Sequence, residues 1–216
     1  MAGIKLSKKK IKGQPGYDVK FTDSEVTVLD YLETINDFIE NGELARLWPE
    51  ERRHCQGCDL CCHEPLPVTS VDVLNICRAT STDITTVFRY LWVEVRGNYI
   101  DITLRRGPRE SCVFLRENGT CSIYAYRPFT CQTYICCQTS AKAELLRSRI
   151  VNLGMDELIR SSILAFKAKG GHLPLNESRE ALVSASDWPE NCFTGKNDYG
   201  QVRLRDVLTS DFKRFW

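Results

Sequence analysis

The chain has 216 residues, 43% hydrophobic and 26% charged, and its 29 basic and 28 acidic side chains leave a net charge of +1. This is the composition of a folded globular protein, and a near-neutral balance gives no support for a nucleic-acid binder that works through bulk charge. No apolar run approaches the ~18 residues needed to span a bilayer, so no membrane role is expected.

The abnormal figure is cysteine, at 11. The first ten residues are basic but lead into no apolar segment of the kind a secretion signal carries. The thiols are therefore expected in the cytoplasm, a reducing compartment where clustered cysteines signal metal or redox chemistry more often than disulfides. An odd count also sits poorly with complete pairing.

In chain order, residues 1–20 carry Lys5, Lys8, Lys9, Lys10, Lys12 and Lys20 against Asp18 and read as a basic N-terminal arm, mobile or partly extended. Residues 21–216 read as a single domain. A helix over 24–40, capped by Thr22 or Asp23, carries Val28, Leu32, Ile35 and Phe38 at helical spacing and stops at Asn41-Gly42. Thr69 or Ser70 caps a second helix, Val71 to Cys77. A third is expected from Ile84 to Val95, with Phe88, Leu91, Trp92 and Val95 on one face. Tyr99 to Leu104 reads as a strand, with Val113 to Leu115 as its antiparallel partner. Residues 141–169 are strongly helical, interrupted at Gly154 and closed by Gly170-Gly171. Val202 to Trp216 is a short strand or helix. The expected class is α+β, a helix-dominated domain with little sheet, organised around a cysteine-rich metal centre.

The first cysteine cluster is Cys55, Cys58, Cys61 and Cys62, in the pattern C-x-x-C-x-x-C-C. Two intervening residues let a tight turn aim neighbouring thiolates at one centre while its amides point at the sulfurs. Three cysteines in this register wrap an object with several corners, as in bacterial ferredoxins. A lone zinc ion more often takes two ligands from each of two separated knuckles. The spacing therefore favours an iron–sulfur cluster, with zinc as the alternative. The second cluster is Cys112, Cys121, Cys131, Cys136 and Cys137. Cys55, Cys58, Cys61 and Cys131 are the first choice for the four corners of a [4Fe–4S] cluster. The other clustered cysteines are candidate metal ligands for that centre or a second one.

Cys77 reads as a structural thiol, and Cys192 lies apart in an irregular segment. His54 and His63 flank the first cluster as ligands or as donors to sulfur, whereas His172 follows Gly170-Gly171 in a loop. Arg127 can offset thiolate charge, and Pro128 fixes the approach to Cys131. Tyr124, Tyr126, Phe129 and Tyr134 are expected to wall the centre from solvent.

These residues resemble the signature of the YkgJ-type cysteine-cluster family, CxxCxxCC, described as zinc- or iron-chelating domains. The resemblance rests on Cys55-Gln-Gly-Cys58-Asp-Leu-Cys61-Cys62, then Cys112-Val-Phe-Leu, Cys121-Ser-Ile-Tyr124 and Arg127-Pro128 before Cys131. It covers about residues 55–137 and implies that Cys55, Cys58, Cys61, Cys62, Cys112, Cys121 and Cys131 are the shared positions. Asp59 and Gln132 depart from the residues many members carry there, and the Cys136-Cys137 pair is an addition.

No phosphate-binding G-x-x-x-x-G-K-[ST] loop, H-E-x-x-H pair or C-x-x-x-C-x-x-C radical-SAM spacing occurs. With no substrate signature, the chain is read as an electron-transfer, sensing or accessory protein with a protein or redox partner, and not primarily as an enzyme. A zinc-binding interaction module and an enzyme with its cluster beside a substrate site are the other readings.

Overall fold

The structure, a computed structural model, describes residues 3–41, 58–96, 99–107, 110–133, 137–176 and 183–216. They gather into two compact units. One holds the described residues up to 41, with 132–150 and 195–216, and the other holds 58–131 and 151–194.

In the first unit β1 (Ile4–Ile11) and β2 (Gln14–Phe21) pair antiparallel, from Ile4 opposite Phe21 to Ile11 opposite Gln14. The basic segment, expected as a mobile or partly extended arm, is extended and paired as a hairpin. Its two-residue turn puts Lys12 and Gly13 at φ of 51° and 82°, the left-handed geometry that matches strand twist. Tyr17, Val19 and Phe21 alternate into the core, which anchors the strands, while Lys5, Lys8, Lys9 and Lys10 stay exposed along the edge strand. A short strand, Gln138–Thr139 (β5), adds in parallel to the other side of β2.

Helix α1 (Val28–Glu40) begins at Thr27, not at Thr22 or Asp23. Thr27 and Asp30 form a reciprocal capping box, which satisfies two amides that an earlier start would leave open. The helix buries Val28, Tyr31, Leu32, Ile35 and Phe38, and the buried Tyr17 and Tyr31 hydroxyls meet at 3.1 Å. The C-terminal segment is helical: Leu204–Leu208 precedes a 3-10 stretch over Thr209–Phe215, and Phe215 stacks on Phe21 with ring centroids 4.8 Å apart.

In the second unit α2 (Ser70–Thr80) is capped by Thr69, as expected, and Asp72 completes a capping box. The helix expected over 84–95 does not form. A 3-10 turn, Thr86–Tyr90, leads into β3 (Leu91–Arg96), which pairs antiparallel with β4 (Tyr99–Leu104). Leu91 and Val93 are buried and Trp92 is 39% exposed, a period of two. A short apolar run satisfies helical and alternating spacing alike, and here the available partner strand decides. The strand at 99–104 is as expected, but its partner is β3 and not 113–115.

The long helix Ala141–Ala168 is continuous through Gly154 and supplies residues 151–168 to this unit. A Cβ at Gly154 would lie 2.5 Å from the Thr69 Cβ, so this glycine permits close packing and breaks nothing. The helix closes where expected, with Gly170 at φ 72° and the Gly171 amide bonded to the Phe166 carbonyl. The core of this unit joins Val73 and Ile76 of α2, Leu91, Val93, Ile100 and Ile102 of the hairpin, Phe114, Ile123, and Leu158 and Ile159 of the long helix. The fold is mixed α+β with two small sheets. Among the described residues no helix is long and apolar enough to cross a membrane.

Candidate metal centre

Cys58, Cys61 and Cys62 lie on a segment that tightens into a 3-10 turn, Leu60–His63, closed by the Cys62 amide on the Asp59 carbonyl at 2.8 Å. The Cys62 carbonyl accepts the Cys112 amide at 2.6 Å. A backbone bond thus joins the two cysteine clusters, fifty residues apart in sequence.

Cys112 and Cys121 occupy equivalent places. Each sits at an isolated antiparallel bridge, Cys112 opposite Arg106 and Cys121 opposite Leu115. Each is followed by a turn whose amides reach back to the sulfur: Phe114 and Leu115 donate to Cys112, and Ile123 donates to Cys121. Amides aimed at sulfur favour the thiolate, the form that binds metal. Between these turns Gly119, at φ 78°, and Asn118, whose side chain accepts the Thr120 amide at 3.1 Å, shape the connecting loop.

Cys131 rides on a five-residue helix, Phe129–Thr133 (α3). Asp72 accepts the Phe129 amide at 2.8 Å, and the Thr130 hydroxyl donates to the Pro67 carbonyl at 2.8 Å. Cys112, Cys121 and Cys131 all pack against the core of the unit.

Cys61, Cys112, Cys121 and Cys131 converge: every pair among these four thiols interacts electrostatically. The bond with Cys62 and burial push the Cys61 thiol far up from its ordinary value. Burial raises Cys112 to about 11, even against the amides that favour its thiolate. Burial also raises Cys121 and, most strongly, Cys131, with the neighbouring thiols adding to it. Without a cation these groups are held as neutral thiols, because several thiolates in one partly buried place repel. Arg127 works the other way. Its guanidinium lies 4.1 Å over the Tyr124 ring and lowers Cys61 and Cys121.

Of the other expected site residues, Cys55, His54, Tyr134 and Cys136 lie outside the described residues. Cys58 is half-buried. Cys137 belongs to the first unit, where it acts electrostatically on Tyr17. His63 is exposed and faces Asp59 at 3.6 Å. Cys77 packs against the core of the second unit and bonds Thr82, in keeping with a structural thiol. Phe129 is fully buried, but Tyr126 is 43% exposed and contributes no closed wall. The sequence reading missed Asp72. Its signal was present in the Thr69-x-x-Asp72 capping box, which announces a helix start but not the tie to Phe129.

Among the described residues no three Cys, His, Asp or Glu side chains are already arranged to hold one metal ion. The chemistry of the donor set still fits a thiolate-bound metal, since four converging sulfurs, amides aimed at two of them and one guanidinium are what such a group requires. Residues 54–147 match the model of the CxxCxxCC family, described as a "putative zinc- or iron-chelating domain". Over that stretch the chain is similar to the CxxCxxCC family. No curated protein and no solved structure matches the chain. The matched stretch takes in the nine clustered cysteines from Cys55 to Cys137, the isolated Cys77, Asp72 and Arg127.

Proposed function

We propose that this CxxCxxCC-like stretch holds an iron–sulfur cluster, a [4Fe–4S] centre, used in electron transfer or sensing with a protein partner. The observation that carries the reading is the mutual approach of Cys61, Cys112, Cys121 and Cys131. These four are the thiolates this reading favours, beside the set Cys55, Cys58, Cys61 and Cys131 expected from spacing, with Cys62 as a neighbouring thiol of the same signature. When bound, the cluster would accept or release one electron. The protein would supply the thiolates, the amide donors at Cys112 and Cys121, and the positive charge of Arg127. Six cysteines among the described residues of the matched stretch belong to the clusters of this unit, more than one zinc ion takes.

The second reading is a structural or chelating zinc site. It is favoured by the equal build of the Cys112 and Cys121 turns, since zinc sites draw ligands from such separated knuckles.

Anaerobic purification with analysis of iron, zinc and acid-labile sulfide separates the two. Iron with matching sulfide, and a brown colour bleached by dithionite, is expected. Stoichiometric zinc in a colourless protein overturns the cluster reading and establishes the second.

A further inference from the structure

In the three-stranded sheet of the first unit, ordered β1-β2-β5, β1 is the edge. It pairs with β2 on one side and meets no strand on the other among the described residues. Its 8 residues of extended backbone therefore turn alternate amides and carbonyls outward, a ready template for one more strand.

The charges along this edge have one sign. Tyr17, Val19 and Phe21 of β2 point into the core, opposite Lys8, Leu6 and Ile4. Alternation then puts Lys5 and Lys9 on the outer face and Lys8 and Lys10 on the other, and all four are exposed. Lys20 stands directly opposite Lys5, and Lys12 occupies the turn. Lys9 meets Asp18 at 3.2 Å, but Lys5, Lys8, Lys10, Lys12 and Lys20 form no ion pair among the described residues. Like charges placed opposite one another weaken a strand pair, so facing Lys5 with Lys20 does not serve the hairpin itself.

Lysines on an open edge reject a neutral or basic strand, and they reject a second copy of the same edge. An acidic strand is the occupant they favour. Added beside β1, it satisfies the outward amides and carbonyls, and its carboxylates fall alternately on the two faces that carry the lysines. Cations on both faces suit an unbroken acidic run. The aromatic residues of the hairpin, Tyr17 and Phe21, are buried, so no ring is left to stack a nucleic-acid base.

We propose that β1 docks an extended acidic segment of a partner protein by strand addition. The inference stands on the first unit and does not depend on which metal the thiols hold.

The test is fluorescence anisotropy of labelled hexaglutamate with the full metal-loaded chain, at about 150 mM salt, where the Debye length is about 8 Å. Saturable binding is expected. Hexaglutamate N-methylated at every amide keeps the charge but cannot donate to a ladder, and should bind at least about tenfold more weakly. K5Q/K8Q/K10Q should weaken the parent peptide at least about tenfold, whereas K5R/K8R/K10R should stay within about twofold of wild type. K167Q, which removes an exposed charge from the long helix, should also stay within about twofold. Melting temperature and metal content are read for each variant, and all should keep both, because these side chains are exposed. No saturable binding overturns the proposal. Equal binding of the N-methylated peptide also overturns it, and that comparison uses the wild-type chain, so it decides even where a variant fails to fold. Equal effects of K5Q/K8Q/K10Q and K167Q overturn the placement on β1. Oligothymidylate or phosphatidylserine vesicles binding as tightly as hexaglutamate overturn the assignment to a peptide. A colourless zinc protein that still binds hexaglutamate through these lysines would defeat the cluster reading and leave the docking edge in place.

Discussion

Asp72 accepts the Phe129 amide at 2.8 Å through one carboxylate oxygen, while the other accepts the Thr69 amide at 2.9 Å. A side chain only 1% exposed therefore caps α2 and holds the start of the helix that carries Cys131. Asp72→Ala leaves two amides without that acceptor, at about 1–3 kcal/mol for each buried group. Stability towards urea should fall by about 2–4 kcal/mol, and metal content should fall with it. Asp72→Asn keeps the shape and one acceptor oxygen and should lose less. An Asp72→Ala protein as stable and as fully loaded as wild type would remove this tie.

Cys131 and Cys77 offer a paired comparison. Both pack against the same core, and burial raises both thiols, but only Cys131 interacts with Cys61, Cys112 and Cys121. Cys131→Ser is expected to abolish metal loading, measured as metal per chain after desalting. Cys77→Ser should load fully and lose about 1 kcal/mol of stability from a buried hydroxyl. Equal loading of the two variants would contradict the assignment of Cys131.

Arg127 is held over Tyr124 and favours the charged form of two thiols. Arg127→Gln should lower metal affinity about tenfold in competition with a chelator, the cost usual for a group just behind the ligands. Arg127→Lys keeps the charge but not the planar stacking, so an intermediate affinity is expected. Unchanged affinity in both variants would reduce Arg127 to a surface contact.

Asp18 governs an acid response in the first unit. Burial alone would raise its carboxyl, yet hydrogen bonds from the Ser140 hydroxyl, Lys9 and the Val19 amide outweigh that and hold it below the ordinary value. A depressed folded value stabilises the protein above the ordinary carboxylate pKa of about 3.9, and the contribution is lost as pH falls through the folded value. Urea unfolding of wild type should therefore weaken more steeply below about pH 4 than that of Asp18→Asn. Parallel curves would show that the carboxylate contributes nothing.

Local chemistry made several elements readable. Thr69 in front of an apolar run gave the start of α2, and Gly170-Gly171 gave the end of the long helix, because caps and left-handed residues act on the nearest turn. Where the choice rests on distant partners, local spacing does not decide it. The alternation of Leu91, Trp92 and Val93 became a strand because Tyr99–Leu104 was there to pair with it. Gly154 became a packing contact because Thr69 lies against it.

The sequence by itself determined that this chain carries clustered thiols of the CxxCxxCC type, since cysteine spacing is a covalent property of the chain. Only the tertiary structure decided that Cys61 meets Cys112, Cys121 and Cys131, that Cys137 belongs to the other unit, and that Asp72 anchors the Cys131 helix. Those relations join residues far apart along the chain, and they exist only once hydrogen bonds and core packing have closed the loops between them.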